Sequence, residues 1–269
     1  MSEHCFKSLF ATNKPMIACI HLPALPGAPL YSGDLNAVYE RALVEARIYN
    51  EAGVDGIIIE NFNDKPFYPD KVPAETIAVM TVIARDIIKS VNMPVGINVL
   101  RNDAISAMAI ATAVEAAFIR VNIHSGSVVT DQGLIHGVAH QTLRLKSQLQ
   151  SNVAIFADVG VKHAAPLADR GLINEVKDIQ SRGLVDALIV SGSGTGEETA
   201  RDDLVDVKSA THLPILIGSG ATIDNLTSSI DLVDGYIVGS TLKEEGKSEN
   251  PVSATRVAAF LDKLTTLKC

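Results

Sequence analysis

Eight short aliphatic runs rich in Val and Ile recur along the chain, at residues 16–21, 55–60, 94–100, 117–122, 153–158, 186–191, 214–218 and 235–239. Longer helical patterns separate them. Continuous aliphatic runs, as opposed to apolar–polar alternation, mark strands covered on both faces. Residues 34–52 space Val38, Ala42, Ala46 and Tyr49 three or four apart, and residues 75–91 do the same with Ile77, Met80, Ile83, Ile87 and Val91. Asp34 reads as the N-cap of the first of these helices and Gly53 as its C′ residue. Strands alternating with helices imply a parallel sheet with right-handed crossovers. Eight such units within 269 residues match an α/β fold of the (β/α)8 TIM-barrel type. A doubly wound open sheet is the competitor, and it needs a glycine fingerprint after its first strand. Here His21 is followed by Leu22-Pro23-Ala24-Leu25-Pro26-Gly27, a rigid turn. With no linker, low-complexity tract or charge block, one barrel domain over residues 1–269 is expected.

Composition narrows function by exclusion. At 47% apolar and 20% charged residues the chain is not disordered. Its 23 Lys+Arg against 31 Asp+Glu give −8 without any basic run, so neither nucleic acid nor an anionic membrane is an expected partner. No apolar stretch approaches the roughly 18 residues of a membrane span. Seven Phe, five Tyr and no Trp leave little for stacking on bases or sugars. Cys5, Cys19 and Cys269 lie far apart without a CxxC, which reads as incidental thiols in a reducing compartment. Residues 1–14 lack the apolar core of a secretory signal, so a cytoplasmic location is expected. The aliphatic helix at 104–113 would pack on the barrel or on a second subunit, which leaves a homo-oligomer open.

In such a barrel the chemistry sits at the C-terminal ends of the strands. The polar residues there are His21, Glu60 with Asn61, Asn98, Arg120 with Asn122 and His124, and Asp158 with Lys162 and His163. The last three runs end in Gly/Ser turns: Ser191-Gly192-Ser193-Gly194-Thr195-Gly196, Gly218-Ser219-Gly220-Ala221-Thr222 and Gly239-Ser240-Thr241. Glycines let backbone N–H groups approach an anion closely, and loops after the seventh and eighth strands often hold phosphate. Gly218, Ser219, Gly220, Ala221, Gly239 and Ser240 are therefore the expected phosphate contacts. Neither a GxxxxGK[ST] loop nor another nucleotide-cofactor motif occurs.

Glu60 and Asp158 would project into the mouth, where burial and nearby cations could split them into acid and base, or pair them with Arg120 or Lys162 as a rim network. Lys162 suits anion binding better than imine formation, because a neighbouring carboxylate would keep it protonated. His21, His124 and His163 lack HxH or HExxH spacing, so no metal ligand is assigned, and a divalent metal is not favoured.

These motifs resemble the BtpA/SgcQ family. The resemblance is carried by the segment from His21 to Pro29, by Glu60-Asn61-Phe62-Asn63-Asp64-Lys65-Pro66-Phe67 and by Gly96-Ile97-Asn98-Val99-Leu100-Arg101-Asn102-Asp103. It continues through Ile119-Arg120-Val121-Asn122, Thr130-Asp131-Gln132-Gly133, Asp158-Val159-Gly160-Val161-Lys162-His163 and the turns at 190–196 and 218–222, spanning about residues 6–260. It implies a barrel related to the ribulose-phosphate-binding group, in a family with one branch associated with photosystem I biogenesis and another encoded beside sugar-transport and sugar-metabolism genes.

The leading expectation is an enzyme acting on a small phosphorylated metabolite, a sugar or nucleoside phosphate, by lyase, isomerase or hydrolase chemistry. Asp158, Glu60, Lys162, His163 and Arg120 would be catalytic. His21, Asn61, Asn98, Asn122, His124, Asp131, Gln132, Ser191, Gly192 and Thr195 would bind substrate, with residues 130–133 as a lid on a long fourth loop. A non-catalytic assembly or regulatory factor and a metal-dependent hydrolase are the alternatives.

Overall fold

The computed structural model describes residues 2–192 and 199–268. Their strands are, in chain order, β1 (Met16–His21), β2 (Gly56–Glu60), β3 (Val95–Asn98), β4 (Phe118–Val121), β5 (Ser127–Thr130), β6 (Gly133–His136), β7 (Ala154–Val159), β8 (Ala164–Pro166), β9 (Ala187–Val190), β10 (Ile215–Ile217) and β11 (Gly235–Val238). Eight of these pair in parallel in the order β1-β2-β3-β4-β7-β9-β10-β11 and close on themselves. They coincide with the eight aliphatic runs, so the chain is a (β/α)8 barrel.

The helices are α1 (Ser2–Leu9), α2 (Leu35–Ala52), α3 (Ala74–Ser90), α4 (Ala104–Val114), α5 (Ala139–Gln148), α6 (Leu172–Asp178), α7 (Arg201–Ala210), α8 (Leu226–Ser229) and α9 (Ala254–Lys268). α2 starts and stops where its end residues dictate. Asp34 accepts from the Ala37 N–H, and Gly53 takes the left-handed conformation at φ 76°.

Strand alternation sorts the side chains into two cores. Met16, Ala18 and Ile20 face outward and pack with Val38, Ala42, Ala46 and Tyr49 of α2. Ile17 and Cys19 face the barrel axis with Ile58, Phe118, Phe156, Ile189, Leu216 and Ile237. The same parity carries His21, Glu60, Asn98, Arg120 and Asp158 into the mouth. Below them the barrel interior is apolar: Phe118 and Phe156 stack at 4.6 Å between ring centroids.

Two elements depart from the expectations. Residues 2–9 form α1, and Phe6 with the following Phe10 closes the barrel floor against Phe156 and Phe118 at 5.8 and 6.3 Å. Four of the chain's seven Phe are thus spent on the floor. The stretch at 124–137 is not a structureless loop. It contains the β5–β6 hairpin, which β8 extends into a three-stranded antiparallel sheet. Asp131 and Gln132 form its two-residue turn, closed by Gly133 at φ 94°. The expected lid is therefore the tip of a paired hairpin. Among the described residues, no helix is long and apolar enough to cross a membrane.

Gly96 is required by the floor packing, since a Cβ there would lie 2.2 Å from the Phe118 ring. Gly96→Ala is expected to destabilise the barrel by about 1–3 kcal/mol through overpacking, with part recovered by adding Phe118→Leu. Urea denaturation of the three proteins checks this.

Candidate active site at the barrel mouth

The mouth is organised around one buried guanidinium. Arg120, on β4, donates through Nε to Asp158 Oδ1 and through Nη2 to Oδ2, both at 2.9 Å, and through Nη1 to Glu60 Oε1 at 3.3 Å. Burial alone would lower the Arg120 pKa, but Asp158 and then Glu60 outweigh it and raise it, so the charge is permanent. Asn122 donates to Asp158 Oδ2 at 3.0 Å. Asn98 in turn donates to Asn122 Oδ1 at 3.1 Å and to the Arg120 carbonyl at 3.0 Å, while its own Oδ1 has no partner among the described residues. Both oxygens of Asp158 are thereby engaged.

His21 lies beside this network. Its Nδ1 is 3.1 Å from the Ser248 carbonyl, which can only accept, so Nδ1 carries the proton and Nε2 presents its lone pair. Burial, followed by Lys243, pushes the His21 pKa well below its ordinary value, and the ring is neutral. Nε2 is 3.9 Å from Glu60 Oε2, and the ring stacks on Phe62 at 4.2 Å. Cys19, expected to be an incidental thiol, is buried two residues earlier on the same strand face. Burial and then Glu60 push its thiol pKa up.

A cavity of about 720 Å³ opens above Arg120. Its lining includes Glu60, Asn98, Asn122, Lys162 and His163, together with Asp131 and Gln132 from the hairpin tip. Lysine and arginine outnumber carboxylates along this wall: Lys65, Arg101, Arg120 and Lys162 face it, against Glu60 and Asp131. The Lys162 pKa is lowered, by burial first and Arg120 second, with Glu60 and Asp158 opposing the shift. Arg101, which sequence reasoning missed, donates to the Lys162 carbonyl at 2.7 Å and holds that loop against the mouth.

A second, smaller cavity of about 30 Å³ lies against the glycine turns and is lined by Gly218, Ser219, Gly220, Ala221, Gly239 and Ser240, with Arg120 and Lys162. The N–H groups of Gly220, Ala221 and Ser240 donate to no acceptor among the described residues. Ser191 is buried here too: its Oγ has no partner among the described residues and lies 2.9 Å from where a Cβ on Gly218 would stand. Gly192 is also buried. Thr195 falls outside the described residues.

Two expected residues are turned away. Asn61 Oδ1 accepts from the Leu100 N–H at 2.7 Å and its amide donates to Asp64 at 3.0 Å, fixing loops behind the mouth. His124 Nε2 lies 2.9 Å from the Gly183 carbonyl and lines a separate cavity of about 860 Å³ under the hairpin.

The sequence matches the model of the BtpA family over residues 12–266. The chain belongs to the BtpA family. Photosystem I biogenesis protein BtpA of Synechocystis is 46% identical over 94% of this chain and 88% of its own length. An uncharacterized protein of Pyrococcus furiosus is 44% identical over 93% and 94% of the two chains. A mitochondrial protein of Caenorhabditis elegans is 32% identical over 97% and 96%. Among solved structures, KGPDC from Streptococcus mutans aligns with a TM-score of 0.59 at 12% identity, covering 94% of this chain and 98% of that one. N-(5'-phosphoribosyl)anthranilate isomerase from Pyrococcus furiosus aligns at 0.57 and 14%, covering 94% and 99%. At these identities the likeness is one of fold.

Two expectations test the electrostatics of this BtpA-family barrel. Asp158→Ala leaves Arg120 with Glu60 alone and is expected to cost about 3–5 kcal/mol of stability in urea titrations. Burial lowers the His124 pKa, so the unfolded chain binds its proton first as pH falls. The stability that His124 contributes is complete above about pH 6.5 and is lost below it, at up to about 1.4 kcal/mol per pH unit. His124→Gln should remove that increment from the pH profile of unfolding.

Proposed function

We propose that the barrel is an enzyme acting on a small phosphorylated metabolite of the sugar- or nucleoside-phosphate class. The observation that carries this reading is the small cavity lined by Gly220, Ala221 and Ser240, whose N–H groups have no acceptor among the described residues, together with Arg120 and Lys162. In a chain of net charge −8, that is a locally built anion cradle. The phosphate sits there, and the organic part extends into the adjoining mouth.

Asp158, with both oxygens committed, holds Arg120 in place. Arg120 then stabilises negative charge that develops on the substrate without having to reorganise. Lys162, and Glu60 through its Oε2, carry out proton transfer, and Asn98 Oδ1 accepts a substrate hydroxyl. Asp131 and Gln132 at the hairpin tip, with the exposed His163, border the entrance. Lyase, isomerase and hydrolase chemistry all fit this set, in a cytoplasmic setting. The phosphoribosyl compound named with one of the fold neighbours is of the size proposed.

A second reading, an assembly factor that binds without turnover, draws on the name of the Synechocystis relative. It also draws on the exposed Val129 and Leu134, paired across the small sheet. Thermal unfolding with inorganic phosphate, ribose 5-phosphate and ribose tests the cradle. The two phosphates should raise the Tm, by the equivalent of about 2.7 kcal/mol at a hundredfold excess over Kd, and ribose should not. Turnover of a stabilising phosphate, lowered about 10²–10⁴-fold by Lys162→Met, separates enzyme from binder. Equal shifts with ribose would remove the phosphate reading.

A further inference from the structure

We infer that Cys19, His21 and Glu60 form a zinc site in the wall of the barrel mouth. Cys19 and His21 are two apart on β1 and share its inner face, and His21 is in register with Glu60 on β2. One ligand atom from each residue lies within 4.8 Å of the other two, and His21 Nε2 and Glu60 Oε2 are 3.9 Å apart. Bonds of about 2.0–2.3 Å to a tetrahedral zinc separate its ligand atoms by about 3.3–3.8 Å. The triangle therefore closes on an ion with side-chain shifts of about 1 Å.

The surroundings are those of a ligand set. The Ser248 carbonyl fixes the His21 tautomer from behind, which aims the Nε2 lone pair inward, as outer-shell partners of metal-bound histidines do. Arg120 occupies Glu60 Oε1 and leaves Oε2 for the ion. Gly239 makes the room, since a Cβ there would stand 2.9 Å from His21 Cε1 and 3.1 Å from Nε2. The adjoining cavity of about 30 Å³ exceeds the roughly 10–15 Å³ that a water-sized occupant needs.

Thiolate, imidazole and one carboxylate together select zinc over magnesium or calcium, which take oxygen ligands. Of the nearby cations, Arg120 is paired with Asp158 and Lys243 with Glu45 at 2.6 Å, while Lys162 lines the same cavity. Binding Zn²⁺ releases the Cys19 thiol proton to solvent. Three protein ligands leave the fourth position open to the cavity, where a substrate oxygen or water would be polarised. Glu60 is then a ligand, and proton transfer in the reaction proposed above falls to Lys162. The site does not depend on which reaction that is.

The test uses the full-length chain, stripped with chelator and titrated with Co²⁺ and with Zn²⁺. The expected result is one ion per chain with thiolate-to-cobalt charge-transfer absorption. Cys19→Ala should abolish the absorption and weaken zinc more than about 100-fold, the upper end of what outer-shell changes cost. The double variant Cys5→Ala/Cys269→Ala should retain both. Should circular dichroism show Cys19→Ala unfolded, Cys19→Ser and Glu60→Gln supply the same comparison. Substoichiometric uptake by the folded wild type, or absorption that survives loss of Cys19, overturns the assignment. Phosphate-induced stabilisation, measured in the chelated protein, reports on the glycine cradle alone, so either proposal can fail without the other.

Discussion

A guanidinium sealed inside a barrel sets the terms for everything around it. Arg120 is buried, and an uncompensated charge there would cost several kcal/mol. Compensation comes from two directions, Asp158 on β7 and Glu60 on β2, so one side chain ties together strands on both sides of β4. The amides of Asn122 and Asn98 then donate to Asp158 Oδ2 and to the Arg120 carbonyl. This polar layer stands directly on an apolar one of Phe118, Phe156, Ile58 and Leu216. The barrel therefore has an apolar lower half that fixes shape and an upper half whose dipoles are already aimed. Preorganisation of this kind is what makes electrostatic stabilisation effective.

The strands are legible in the sequence because burial on both faces leaves an unmistakable mark: runs such as Met16–His21 contain no outward polar residue. Elements whose partners are tertiary are not. α1 is short and largely polar apart from Phe6 and Leu9, and only its docking on the barrel floor explains it. The hairpin is exposed along much of its length, and its strands of four residues each are too short for a periodic signal. Gly133, after Asp131-Gln132, is the one local clue to a tight turn.

The same contrast runs through the site. Position at a strand end tells which residues stand near the mouth, while parity tells which way they face. Glu60 faces inward, so its neighbour Asn61 faces out and serves the loops. His21 faces inward, and so must Cys19. Its distance from the other cysteines hides this, because the neighbour that matters is a histidine two residues on. His124 shows the limit of parity. It lies beyond the end of β4, where the chain has left the barrel, and its ring goes to Gly183. Arg101 escapes sequence reasoning because it belongs to a loop after β3, and only the Lys162 carbonyl that it binds reveals its part.

The acidic surface and the cationic mouth are consistent once scale is considered. At physiological salt, charges farther apart than about 8 Å are largely screened. The −8 of the whole chain is therefore weakly felt inside a cavity walled by Lys65, Arg101, Arg120 and Lys162. Occupation of the Cys19–His21–Glu60 triangle by a dication, with loss of one thiol proton, would add one further positive charge beside the glycine cradle. An anion in that cradle and a cation in that triangle would then favour each other. Thermodynamic linkage requires the effect to be reciprocal, with each tightening the other by the same factor. On that account the two proposed sites are halves of one charge-balanced pocket, and the shared cavity wall at Glu60 and Gly239 is where they meet.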